Sequence, residues 1–357
     1  MKGSPRRYWL MDGARGLAAL SILVYHLCHW VDLHPALVLD VVLRKLGVYA
    51  VEFFYVISGI SMGIAYPRLA LRFEDFRVFL IRRWFRIAPL YLACSLAVIA
   101  SAFVLPELRA TAWAPWPALA NASLLFGLIN PALSTINGGW SIGVEFVFYL
   151  AFPVLLYAVR RFGTAAVLLS MLPAAVHAFS LDPGHPLASQ WSNYVAVSNH
   201  VCFFAAGIWI SGSGSVGPAR AALVGLVGCA AFLGLQPLTL TDNIAYVTGG
   251  ARLVLSLATC FVAYSLFQLE PRRWSPWAER CARFLGESSY SLYLCHFFVF
   301  SVVRRVVPAS GVVIALTVVL SLVVSRLLFP LERWCIDLGR RVSQRTRYAV
   351  DSAKSLS

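Results

Sequence analysis

The sequence is short of charge. Only 13% of its 357 residues are Asp, Glu, Lys or Arg, against about 25% in an ordinary soluble domain. With 59% hydrophobic residues and a mean hydropathy of +0.73, this excludes a water-soluble globule. Other signals are missing too. No Gly-rich phosphate-cradling loop precedes a helix, no His and Cys set has zinc spacing, and no Gly-x-Ser-x-Gly elbow occurs. A P-loop nucleotidase, a zinc hydrolase and a hydrolase with a serine elbow are thereby excluded, and no metal site is expected. The eight cysteines (28, 94, 202, 229, 260, 281, 295 and 335) are scattered through apolar runs without disulfide spacing, and read as small buried hydrophobes. No internal repeat is visible, which counts against a transporter, since many transporters are built from repeats.

Apolar runs of about 20 residues are what the chain does have, each long enough to cross a hydrocarbon core of about 30 Å. Ten spans can be drawn: 14–34, 46–66, 84–105, 140–159, 163–181, 194–211, 219–237, 249–268, 284–303 and 310–331. The segment 119–130 is too short to cross and reads as re-entrant or interfacial. The net charge of +14 lies between the runs, where membrane topology explains it better than nucleic acid does. With the N-terminus in the cytoplasm, inner segments hold 23 Lys and Arg and outer segments 6. Arg252 falls in an outer segment in this drawing. The bias predicts an all-α integral membrane protein of about ten helices, both ends cytoplasmic, with an uncleaved first span. Residues 1–335 form the membrane domain and 336–357 a basic cytoplasmic tail. Trp113, Trp116, Trp140 and Trp191 lie in or near the longer outer stretches. They read as an interfacial aromatic belt, or as a rim for flat sugar rings.

Polar residues at bilayer depth are costly and by default point to function. Arg15 and His26 share the first span. Eleven residues separate them by about 16 Å along a helix, placing Arg15 at the inner interface and His26 near the midplane. Taken singly, Arg15 is a snorkelling charge and His26 an interhelical hydrogen-bonding residue. Glu52 and Glu145 lie in the second and fourth spans, and Glu145 is shallow enough on the outer side to meet His26 in one polar cavity. Arg82, Arg83 and Arg86 mark the inner edge of the third span. Their forks suit phosphate oxygens, and equally suit the topology rule or anionic lipid. Ser288, Ser289, Tyr290, Ser291, Tyr293 and His296 crowd the ninth span. His177 and His200 have no supporting context and read as structural. Two classes remain: a membrane transferase joining a cytoplasmic donor to an outer acceptor, and a transporter or proton-coupled carrier. A non-enzymatic membrane scaffold is a third reading.

In order along the chain, "LMDGARGLAALSILVYH", "AVEFFYVISGI", "RRWFRIAPLY", "WSIGVEFVFYLAFP" and "LGESSYSLYLCH" resemble the motifs of the membrane-bound acyltransferase 3 family, which O-acylates surface glycans and related acceptors. The resemblance runs from Asp12 to about Glu332. It departs at Ala50, where a Gly is common, and at Trp334, near which a Pro is common. It implies an acyl-CoA donor, usually acetyl-CoA, bound by Arg83 and Arg86 with help from Arg82 and Arg15. It implies His26 as general base or acyl acceptor, with Glu145 orienting it. Glu52, Trp140, Ser141, Tyr290, His296 and Glu332 are implied in support, with Ser141 or Tyr290 at the oxyanion. The implied partners are the bilayer of a bacterial inner membrane and a glycan or lipid-linked sugar acceptor.

Overall fold

The computed structural model describes residues 7–69, 72–101, 115–236, 242–271, 273–308 and 310–355. The described residues are helical, without strands: α1 (Trp9–Trp30), α2 (Leu37–Ala65), α3 (Phe73–Ser101), α4 (Pro115–Ser123), α5 (Phe126–Ile129), α6 (Trp140–Phe162), α7 (Thr164–Ser180), α8 (Trp191–Tyr194), α9 (Val201–Gly212), α10 (Pro218–Gly234), α11 (Ile244–Val247), α12 (Gly249–Gln268), α13 (Pro276–Val306) and α14 (Ser310–Ser355). Five of them, α2, α3, α6, α12 and the body of α14, are long and apolar enough to cross a membrane. Three more, α7, α9 and α10, are apolar but shorter. In α1 and α13 the hydropathy is lowered by Arg15, His26 and His29 and by the Ser, Tyr and His run. Large apolar side chains on α7, α10 and α14 point outward, such as Leu169, Val176, Leu226 and Leu327. Such a surface suits lipid, where it would be a liability in water.

Close backbone approach decides which helices adjoin. Where α2 crosses α9, a Cβ on Gly59 would strike the Phe204 carbonyl, and one on Gly207 the Val56 carbonyl. Glycine on both sides lets the two backbones touch. α1 lies along α13 in the same way, with Gly16 against the backbone of Leu285.

Two expectations change, for Arg252 and Trp140. Arg252 is not in an outer segment. It lies one turn inside α12, 1% exposed, because Glu52 on α2 neutralises it there. Residues 336–355 continue α14 unbroken, and Arg82 Nε donates to Ser343 Oγ at 2.8 Å. Trp140 belongs to no aromatic belt. It is 6% exposed, edge-to-face with Trp191 and Tyr194 in the interior. Segment 119–130 forms α4's end and α5, which turn at Leu124 and set Gly127 against Gly143 of α6. Trp113 and Arg109 lie outside the described residues. All eight cysteines are free, and Cys229 is exposed rather than buried.

Candidate active site

Two contacts fix the register of α1 and α13. Arg15 Nη2 donates to the Gly286 carbonyl at 2.7 Å, and His26 Nδ1 stands 3.0 Å from His296 Nε2. The sequence separations are 271 and 270, so the helices run parallel, side by side, over three turns. The His rings are nearly coplanar in orientation, 6° apart with centroids at 5.3 Å, and Trp30 stacks on both. His296 is 1% exposed, whereas His26 is partly exposed. His296 Nδ1 in turn lies 2.8 Å from the Tyr293 carbonyl and 3.3 Å from that of Leu292.

Below this pair, between α1, α2, α3, α6, α13 and α14, opens a pocket of about 710 Å³. Seven arginines line it: Arg7, Arg15, Arg83, Arg86, Arg283, Arg333 and Arg340. Three glutamates, Glu145, Glu287 and Glu332, face them. The excess of cations suits an anionic ligand bearing several charges. Its wall includes Tyr293, one helical turn before His296 on the same face of α13. Buried polar atoms without hydrogen-bond partners cluster here: Nε of Arg15, Nε of Arg83 and Oε2 of Glu332. Buried polar groups are normally paired, so these three mark where a polar ligand would bond.

Of the residues singled out in the sequence, Arg15, Arg83, Arg86, Ser141, Glu145, Tyr290 and Glu332 line this pocket together. Ser141 Oγ is 2.8 Å from Tyr293 Oη, and Tyr290 Oη donates to the Ile87 carbonyl at 2.5 Å. His26 and His296 are not among the lining residues, but the His296 ring stands 6.1 Å from that of the lining residue Tyr293.

The expected pairing of His26 with Glu145 is not formed. Glu145 Oε1 accepts from Ser58 Oγ at 2.6 Å and from Tyr149 Oη at 2.5 Å. Tyr149 is one turn along the same helix and Ser58 sits on the neighbouring α2, so the carboxylate is bonded to these two hydroxyls rather than to His26. Arg82 does not line this pocket. It shares a helix face with Arg86 by spacing, yet it points to Ser343 while Arg83 and Arg86 face the pocket. Glu52 lies away from the pocket in a sealed cluster. Arg252 Nη1 is 2.6 Å from its Oε1 and His200 Nδ1 is 3.3 Å from the same atom. Arg252 Nη2 also reaches Asn199, and Trp140 packs on the His200 ring at 5.2 Å.

Sequence reasoning missed Arg7, Arg283, Arg333 and Arg340, reading them as topology charges. One signal was present: Arg326, Arg333 and Arg340 recur every seven residues, which puts them near one helix face. His200 and Arg252 carried no local signal, because their partner Glu52 is more than a hundred residues away.

The family described as an acyltransferase domain matches residues 8–330. The acyltransferase MdmB of Streptomyces mycarofaciens is 28% identical over 203 residues, covering 51% of this chain and 51% of that protein. The chain thus spans about half the length of the curated relative it matches. No solved structure matches it.

Proposed function

The chain belongs to this acyltransferase family, and on that premise we propose that it moves an acyl group, most simply acetyl, from cytoplasmic acyl-CoA to a hydroxyl of a cell-surface or lipid-linked glycan. The observation that carries this reading is the arginine-lined pocket whose wall ends one turn short of the His26–His296 pair. Acyl-CoA is a polyanion with a thin thioester arm. Arg83 and Arg86, with Arg15, bind its phosphates, since guanidinium forks match phosphate oxygens. The arm then runs along Ser141 and Tyr293 toward His26.

His26 acts as general base. It takes the proton of the acceptor hydroxyl as the oxygen attacks the thioester carbon. The new C–O ester bond forms, the C–S bond breaks, and the proton on His26 passes to the departing CoA thiolate. The Ser141 hydroxyl or backbone amides steady the oxyanion, whereas the single hydrogen of Tyr290 Oη is already given to the Ile87 carbonyl. Glu145 serves as counter-charge to the arginines, with one oxygen tied to Ser58 and Tyr149.

Ten crossings of a bacterial inner membrane, with both ends cytoplasmic, complete the reading. The positive-inside bias supports it, as does the meeting of N-terminal Arg7 and C-terminal Arg340 at one pocket. The test is mass spectrometry of the host's surface glycans with and without the protein. An acyl group lost from a glycan on deletion, and regained on complementation, supports the assignment. An unchanged glycan, with purified protein in liposomes moving solute and consuming no acyl-CoA, would replace it with a carrier.

A further inference from the structure

Resting on the reading of His26 as base, we propose that His296 is a positioning residue that fixes the tautomer of His26, so that Nε2 of His26 is the reactive nitrogen. The argument is an accounting of protons. His296 Nδ1 faces two backbone carbonyls, of Tyr293 at 2.8 Å and of Leu292 at 3.3 Å. A carbonyl oxygen only accepts, so Nδ1 must carry a hydrogen and donate it. A neutral imidazole has one N–H, which leaves His296 Nε2 with a bare lone pair. A doubly protonated His296 would be an unpaired cation at 1% exposure, which burial strongly disfavours. His26 Nδ1, 3.0 Å from that lone pair, must then be the donor. Its own single N–H is thereby used at Nδ1, and Nε2 is left as the free base.

The surroundings fit this assignment. Among the described residues nothing hydrogen-bonds to His26 Nε2, and the ring is partly exposed, while its other edge is held by His296. Trp30 stacks on both rings and restricts their rotation. The relay ends on the peptide carbonyls of α13, which neither ionise nor move. When His26 receives the acceptor's proton at Nε2, its Nδ1–H still points at His296 Nε2, so the imidazolium keeps a bonded partner throughout the step. The expected orienting role of a carboxylate is thus filled by a neutral histidine, which adds no negative charge to the site. A neutral relay leaves the charge of the site to the arginines and the donor's phosphates. It also makes the tautomer depend on one side chain, so the assignment can be tested by replacing that side chain alone.

The experiment compares His296→Phe, His296→Gln and His26→Ala with the unaltered protein in detergent or nanodiscs, reading kcat and KM for acyl-CoA separately. Gln keeps an acceptor near the Nε2 position, and Phe keeps the volume without one. His296→Phe is expected to lower kcat about a hundredfold with KM within about twofold, and Gln to recover most of the loss. In protein labelled with 15N-histidine, the His26 signals, assigned by their loss in His26→Ala, are expected to report Nδ1–H. They should lose that preference in His296→Phe. A wild-type His26 carrying its proton on Nε2 would overturn the proposal, as would a Phe variant with kcat within twofold, or a Gln variant as impaired as Phe. If His26→Ala itself stays active, the reading of His26 as base fails instead, and the tautomer measurement still stands by itself.

Discussion

Glu52 and Arg252, 200 positions apart in the chain, meet at 2.6 Å in the sealed interior, with His200 on the same carboxylate oxygen. Each charge is tolerable there only because of the other. Removing one leaves a buried, uncompensated ion, which costs about 3–5 kcal/mol, whereas removing both can be close to neutral. Glu52→Gln or Arg252→Met is therefore expected to lower the thermal unfolding midpoint in detergent sharply. The double variant should recover much of the loss. Single variants that unfold like the unaltered protein would show that the pair contributes nothing.

The arginines make separable forecasts. Arg83→Ala and Arg86→Ala should each raise KM for acyl-CoA by roughly tenfold, the scale of one lost charge-assisted hydrogen bond, with a smaller effect on kcat. The loss should shrink at high salt, which weakens the same attraction in the unaltered protein. Arg82→Ala is the matched control. It bonds Ser343 outside the pocket and should leave KM unchanged. Equal effects from all three would point to general positive charge rather than a built donor site.

Packing gives a third test. Gly59 and Gly207 let α2 touch α9, and a side chain at either would meet backbone oxygen. Gly59→Val is expected to destabilise by about 1–3 kcal/mol or more, as overpacking does. Gly234→Ala, at the end of α10 with nothing within 4 Å, should be neutral or slightly stabilising. Circular dichroism melts of the two variants check both.

How much of this was legible in the sequence depends on the range of the interaction. Helix positions follow from local apolar runs: each of the ten drawn spans overlaps a helix of twelve residues or more among the described residues, and five of these helices are long and apolar enough to cross a membrane. The arginine edge of α3 was legible as a basic, helically spaced cluster, although spacing alone put Arg82 with Arg86 and the packing of α14 separated them. Depth along a helix is what placed His26 and Glu145 together. Depth, however, says nothing of lateral neighbours. Whether α1 adjoins α6 or α13 is decided by tertiary contacts such as Gly16 against Leu285. Those contacts give His26 a histidine partner and leave Glu145 to Ser58 and Tyr149. The buried Arg252 was illegible for the same reason: a lone arginine at a helix start reads as a loop charge until its partner 200 residues away is known.

His29 supplies the internal control for the central claim. It lies one turn beyond His26, exposed, stacked on Tyr25 and away from His296. The most direct measurement is transfer of labelled acetyl from acetyl-CoA to glycan in membranes carrying His26→Ala or His29→Ala at matched protein levels. The account predicts that His26→Ala loses at least about a hundredfold in rate, while His29→Ala stays near the unaltered protein. His26→Ala activity within a few-fold of the unaltered protein would contradict it.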